Sequence, residues 1–139
     1  MEFSRRDTLA LGAGAVALAT LPLRAGAATA DELIAEFTGG ADIGDSGVTL
    51  DAPEIAENGN TVPISVDAPG ASEILVVAPG NPNASVATFK FGALAGAQQA
   101  STRIRLAGSQ DVAAIAKMAD GSFAKSSRTV KVTIGGCGG

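Results

Sequence analysis

Histidine is missing from all 139 residues. With it go the usual general base, the usual activator of a serine or cysteine nucleophile, and the commonest transition-metal ligand. Hydrolytic triads in their ordinary form are excluded. Tryptophan and tyrosine are missing as well, and five phenylalanines supply all the aromatic surface. The 14 acidic residues outnumber the 10 basic ones, for a net charge of −4. A chain so poor in positive charge and stacking surface has no means of gripping nucleic acid. Long apolar stretches are also scarce. The run from Leu9 to Leu23 falls short of the roughly 20 residues a spanning helix needs, and Gly12 and Gly14 dilute it, so no membrane anchor is expected. Cysteine occurs once, at Cys137, which excludes any disulfide within the chain.

What is present begins with an export signal over residues 1–27. Arg5 and Arg6 form a twin arginine, a mildly apolar stretch follows, and Ala25-Gly26-Ala27 offers a small-residue cleavage site before Ala28. Such a leader predicts export to the periplasm by the twin-arginine route, which carries folded proteins. The remaining chain is more acidic than the whole, because the leader holds three arginines against Glu2 and Asp7.

Residues 28–134 read as one β-rich domain. It opens with a short helix: Thr29 and Glu32 have the spacing of a capping box, Leu33, Ile34 and Phe37 share one face, and Gly39-Gly40 ends it. So short an amphipathic helix is stable only when its apolar stripe is covered, by the domain or by a partner. From Val48 the apolar period is two, the pattern of half-buried strands. Val48-Leu50, Val62-Ile64-Val66, Val86 to Phe91, Thr102 to Leu106, Val112 to Met118, Phe123 to Lys125 and Val130-Val132-Ile134 mark strands. Asn58-Gly59 and Asp120-Gly121 mark hairpins, Pro63 marks an edge strand, and residues 93–100 form a loop. Ile74 to Val77 is apolar on both faces, so it is either a central strand or one covered by another subunit. About seven short strands separated by turn signals predict an antiparallel β-sandwich of immunoglobulin-like type.

The sequence closes on Gly135-Gly136-Cys137-Gly138-Gly139. These glycines lose too much backbone freedom in a helix or sheet to be held there, and they give the sulfur no side-chain cover. Residues 135–139 are therefore expected to be a flexible arm that presents its thiol. Three extended steps from Ile134 carry Cys137 about 10 Å from the domain. Nothing near the thiol lowers its pKa from about 8.5. The chain is thus expected not to be an enzyme on its own, and to need neither cofactor nor metal.

Taken together, the twin-arginine leader, the β-rich body, the segment Ser101-Thr102-Arg103-Ile104-Arg105-Leu106-Ala107-Gly108-Ser109-Gln110 and the terminal Gly-Gly-Cys-Gly-Gly resemble the SoxY family, the sulfur-carrier subunits of bacterial thiosulfate oxidation. That resemblance implies a covalent attachment site at Cys137 on an arm of Gly135, Gly136, Gly138 and Gly139. It also implies a SoxZ-like partner subunit in a heterodimer, and pathway enzymes that act in turn on the attached sulfur.

Other features have weaker readings. Asp42, Asp45 and Asp51 do not match a calcium-loop spacing and read as solvated turns. Arg103 and Arg105 alternate with Ile104 and Leu106; they form a strand's solvent face or dock an acidic partner. Two rival functions stand beside the carrier. One is an exported structural or adhesive subunit linked through a Cys137 disulfide. The other is a diglycine-type carrier whose C-terminal carboxylate becomes a thiocarboxylate, a chemistry that requires ATP.

Overall fold

The computed structural model describes residues 28–135. The first element is the helix α1 (Ala30–Thr38), and its start is as the sequence predicts. Thr29 Oγ1 accepts from the Glu32 amide at 3.3 Å and the Glu32 carboxylate accepts from the Thr29 amide at 2.8 Å. The helix ends at Gly39, whose φ of 64° is the left-handed conformation that L side chains resist.

Nine strand segments follow: β1 (Ile43–Gly44), β2 (Thr49–Asp51), β3 (Ile55–Ala56), β4 (Val62–Asp67), β5 (Ala71–Val77), β6 (Ser85–Lys90), β7 (Gln99–Ile104), β8 (Gln110–Met118) and β9 (Phe123–Val132). They form two sheets, one ordered β1-β9-β8-β5-β6 with β3 also on β9, the other β2-β4-β7. The longer strands pair antiparallel, whereas the two-residue β1 and β3 run parallel to β9. The immunoglobulin-like sandwich holds, with these two short parallel additions.

The core between the sheets follows from the alternation. Val62, Ile64 and Val66 of β4, together with Leu50, Ile104 and Leu106, face Ile74, Val76, Val112, Ala114 and Val130 of the larger sheet. Each of the larger side chains contributes roughly 1.5–3 kcal/mol by leaving water. The two-faced run of β5 is resolved by α1. Ile74 and Val76 point into the sandwich, while Leu75 and Val77 join Ala113 and Ile115 beneath Leu33, Ile34 and Phe37. Phe37 meets Phe123 edge to face at 5.9 Å between ring centres. Of the two coverings open to the helix and to β5, the chain supplies both from within itself.

Three sequence expectations need correction. Asn58-Gly59 does not close a hairpin: β3 belongs with β9 in the large sheet and β4 lies in the small one, so the turn is a crossover between sheets. Pro63 sits in the central strand of the small sheet, opposite Arg103 of β7, but β2 pairs with β4 only from Ser65 to Asp67. The missing amide is tolerated because one flank of β4 is open there. Finally, the alternation on β9 stops at Val132, and Ile134 is 68% exposed instead of facing inward. The pairing with β3 ends at Val132, and the bonds beyond it go to the Ala56 carbonyl at the end of β3 and to Gly59 in the loop after it.

Candidate functional site at the root of the C-terminal arm

Cys137, Gly136, Gly138 and Gly139 lie outside the described residues, as does the leader 1–27. The described part of the site is the segment that leads to them, residues 131–135, and two loops hold it.

One is the stretch 54–59, which contains the two-residue strand β3 and the start of the crossover after it. The Lys131 amide donates to the Glu54 carbonyl at 2.8 Å, the Thr133 amide to the Ala56 carbonyl at 3.0 Å, and the Gly59 amide donates to the Ile134 carbonyl at 2.8 Å. Thr133 adds its hydroxyl, which donates to the Glu57 carbonyl at 3.0 Å. The other loop is residues 105–110, from within the segment that carries the family resemblance. There the Ser109 hydroxyl accepts from the Val132 amide at 2.9 Å. Gly135 comes closest of all: a Cβ on it would stand 2.8 Å from the Ala107 carbonyl oxygen, a backbone atom that cannot swing aside. Gly135 thus has a packing reason to be glycine in addition to any freedom it lends an arm.

The 105–110 loop is in turn pinned from the β5–β6 connection. Asn81 Nδ2 donates to the Arg105 carbonyl at 2.8 Å, and its Oδ1 accepts from the Ala107 amide and from Gln110 Nε2, each at 2.9 Å. Gln110 Oε1 accepts from the Gly80 amide at 2.8 Å. Gly59 ties the two loops together, since its carbonyl accepts from the Leu106 amide at 2.8 Å while its amide holds Ile134. Leu106 itself is fully buried. The consequence is a rooted exit: the chain leaves the domain at a point fixed by hydrogen bonds on both sides.

The sequence names Asn81, Gln110 and Gly59 only as parts of turns and motifs, and their role in holding the exit is not read from it. Pro79-Gly80-Asn81-Pro82 reads as a turn, and nothing local tells that the Asn81 side chain serves a loop 24 to 29 residues away.

Arg103 and Arg105 lie on the rim of the same region, exposed, with Ile104 and Leu106 buried between and after them. Arg103 Nη1 donates to Thr61 Oγ1 at 3.3 Å. Both arginines line a groove of about 310 Å³ with Asn81, Asn83 and Ser85. Chemically the root is quiet. Among the described residues no three His, Cys, Asp or Glu side chains converge as a metal site, and no buried side-chain polar atom lacks a partner. Among the described residues the arrangement fixes where the chain leaves the domain.

Comparison with known proteins bears on this geometry. Residues 34–137 match the family model described as sulfur oxidation protein SoxY. The fold is similar to that of the sulfur carrier protein SoxY from Chlorobium limicola f thiosulfatophilum, with 34% identity, a TM-score of 0.65, and coverage of 75% of this chain and 96% of that one. Likeness to a superoxide reductase (neelaredoxin) of Ignicoccus hospitalis, at 16% identity and TM-score 0.55 over 76% of this chain and 93% of that one, concerns the fold alone. The same is true of a putative superoxide reductase of Thermotoga maritima, at 19% identity and TM-score 0.52 over 81% and 98%. None of the curated proteins matches the chain significantly.

Proposed function

The chain belongs to the SoxY family of sulfur oxidation proteins, and from that premise we propose that it carries thiosulfate-derived sulfur covalently on Cys137. Its role as a sulfur-oxidation carrier comes with the family; the attachment residue, the substrate and the compartment are our reading. The observation that carries the reading is the extent of the family match, which runs to residue 137, the cysteine itself.

In the proposed cycle, a pathway enzyme removes two electrons as the Cys137 thiolate joins the sulfane sulfur of thiosulfate, giving a cysteine S-thiosulfonate. Water then cleaves the outer sulfonate as sulfate, and a persulfide stays on the cysteine. Further oxidation of that sulfur and a final hydrolysis return the thiol. Each step is performed by a partner that brings its own oxidant or base. The rooted exit supports the reading physically. Holding residues 131–135 fixes where an arm starts, so that the search of its tip for an active site covers a small volume. The twin-arginine leader supports a periplasmic destination, and a SoxZ-like subunit is the partner we expect there.

Replacing Cys137 by serine tests the proposal. In a reconstituted thiosulfate-oxidising system the variant should have no activity, while its unfolding free energy should stay within about 0.5 kcal/mol of the parent, because the flanking glycines offer the sulfur no side-chain cover to lose. Activity in the variant would end the carrier reading.

A further inference from the structure

The acidic character of this protein is not spread evenly. Between Glu73 and Asp111 the sequence contains no carboxylate, yet it holds Lys90, Arg103 and Arg105. That stretch builds β6, the following loop and β7, and each of these strands is an edge of its sheet: among the described residues β6 bonds only to β5, and β7 only to β4. Both edges border one groove of about 310 Å³, where half-buried Val86 and Ala87 of β6 lie across from Thr102 and buried Ile104 of β7. The single ion pair among the described residues takes Lys90, at 3.8 Å from Glu73. Arg103 and Arg105 have no carboxylate within that range among the described residues. An unpaired strand edge is a row of unmet donors and acceptors that attracts another strand.

We propose that this groove docks an extended acidic segment of a partner protein, which pairs with the free edge of β7. The pattern it must have follows from the pleat. Residues beside Arg103 and Arg105 on the outer face should be Asp or Glu, and the alternate residues, which turn into the gap over Val86, Ala87 and Ile104, should be small and apolar. Main-chain bonds would supply affinity, and the two arginines would set register and exclude neutral strands. A second copy of this chain is disfavoured as the occupant, because β6 and β7 are themselves the cationic edges and would repel their equals. The proposal concerns where a partner sits, and its test involves no sulfur chemistry, so it can fail while the carrier reading stands.

The test uses a fluorescein-labelled octapeptide alternating Glu and Val, titrated with the full chain and followed by anisotropy. Two further peptides carry N-methyl groups on alternate backbone nitrogens, one in each register. The parent peptide should bind, one methylated register should lose binding and the other keep it. The double change Arg103→Glu and Arg105→Glu should weaken binding at least about tenfold, the scale of two cross-strand charge pairs. Lys125→Glu, on an exposed position of β9, should not. If the arginine double variant melts below the parent, Arg103→Gln with Arg105→Gln replaces it, with a smaller loss expected. Absence of binding, full binding by both methylated peptides, equal weakening by Lys125→Glu, or a sedimenting homodimer that the peptide cannot dissociate would each overturn the proposal.

Discussion

The two faces of β9 and its two ends are held by different physics. Over residues 123–130 the strand pairs continuously with β8, and Phe123 packs under α1 in a dry layer with Leu75, Val77 and Ile115. From Lys131 onward the same chain has left β8, pairs in parallel with the two-residue β3 and is then held by hydrogen bonds to the loops beyond, and Ile134 stands in solvent. Burial fixes the first region and geometry fixes the second. The difference teaches how a carrier divides its labour: stability is kept away from the exit, so the exit is specified without a reactive group being built into the core.

The comparison breaks most severely if the dry layer is hollowed. Ile115→Ala, at a position with no exposure, should cost about 2–5 kcal/mol, read by chemical denaturation, while leaving the reactivity of the thiol in the folded fraction unchanged. A loss of reactivity in folded protein would mean that the two regions are coupled.

Gly135→Ala sharpens the other side. Its Cβ meets the Ala107 carbonyl, so the root must shift, at about 1–3 kcal/mol. Hydrogen exchange should rise at Val132 and Gly59 and stay constant in β5 and β8. Uniform protection everywhere would show that the root is not held as described.

How much of this was legible in the sequence depends on the reach of each signal. The helix was readable because Thr29 and Glu32 are three residues apart and the stop at Gly39 is local. The β-period marked the strands wherever inward positions are apolar. It failed along β9, which reads as two pieces, because the inward positions Ser126 and Arg128 are polar; Arg128 Nε reaches across to the Leu50 carbonyl at 3.1 Å in the other sheet. Asn58-Gly59 carries turn chemistry that says the chain reverses but not which strands it joins. The root was invisible for the same reason, since Asn81 and Gly59 act on residues far away in sequence. The terminal Gly-Gly-Cys-Gly-Gly, by contrast, is a local motif of five consecutive letters, four of which lie outside the described residues.

The smallest effect expected is electrostatic. Hydrogen bonds from the Ser122 hydroxyl and amide lower the pKa of Asp120 from its ordinary value of 3.8. A carboxylate whose pKa is depressed on folding contributes stability that is complete above 3.8 and disappears as the pH falls through the folded value. Asp120→Asn should therefore melt slightly below the parent at neutral pH and together with it in strong acid, since Asp120 is exposed and the β8–β9 turn survives without it. A gap that widens on acidification would contradict the assignment.

The claim that this rooted exit serves a sulfur carrier is tested most directly by peptide mass spectrometry. Protein incubated with thiosulfate and the pathway enzymes, then digested, should carry a sulfur adduct on the peptide that contains Cys137, and reductant should release it. An unmodified Cys137, a C-terminal thiocarboxylate, or an obligatory disulfide oligomer under the same conditions would contradict the account.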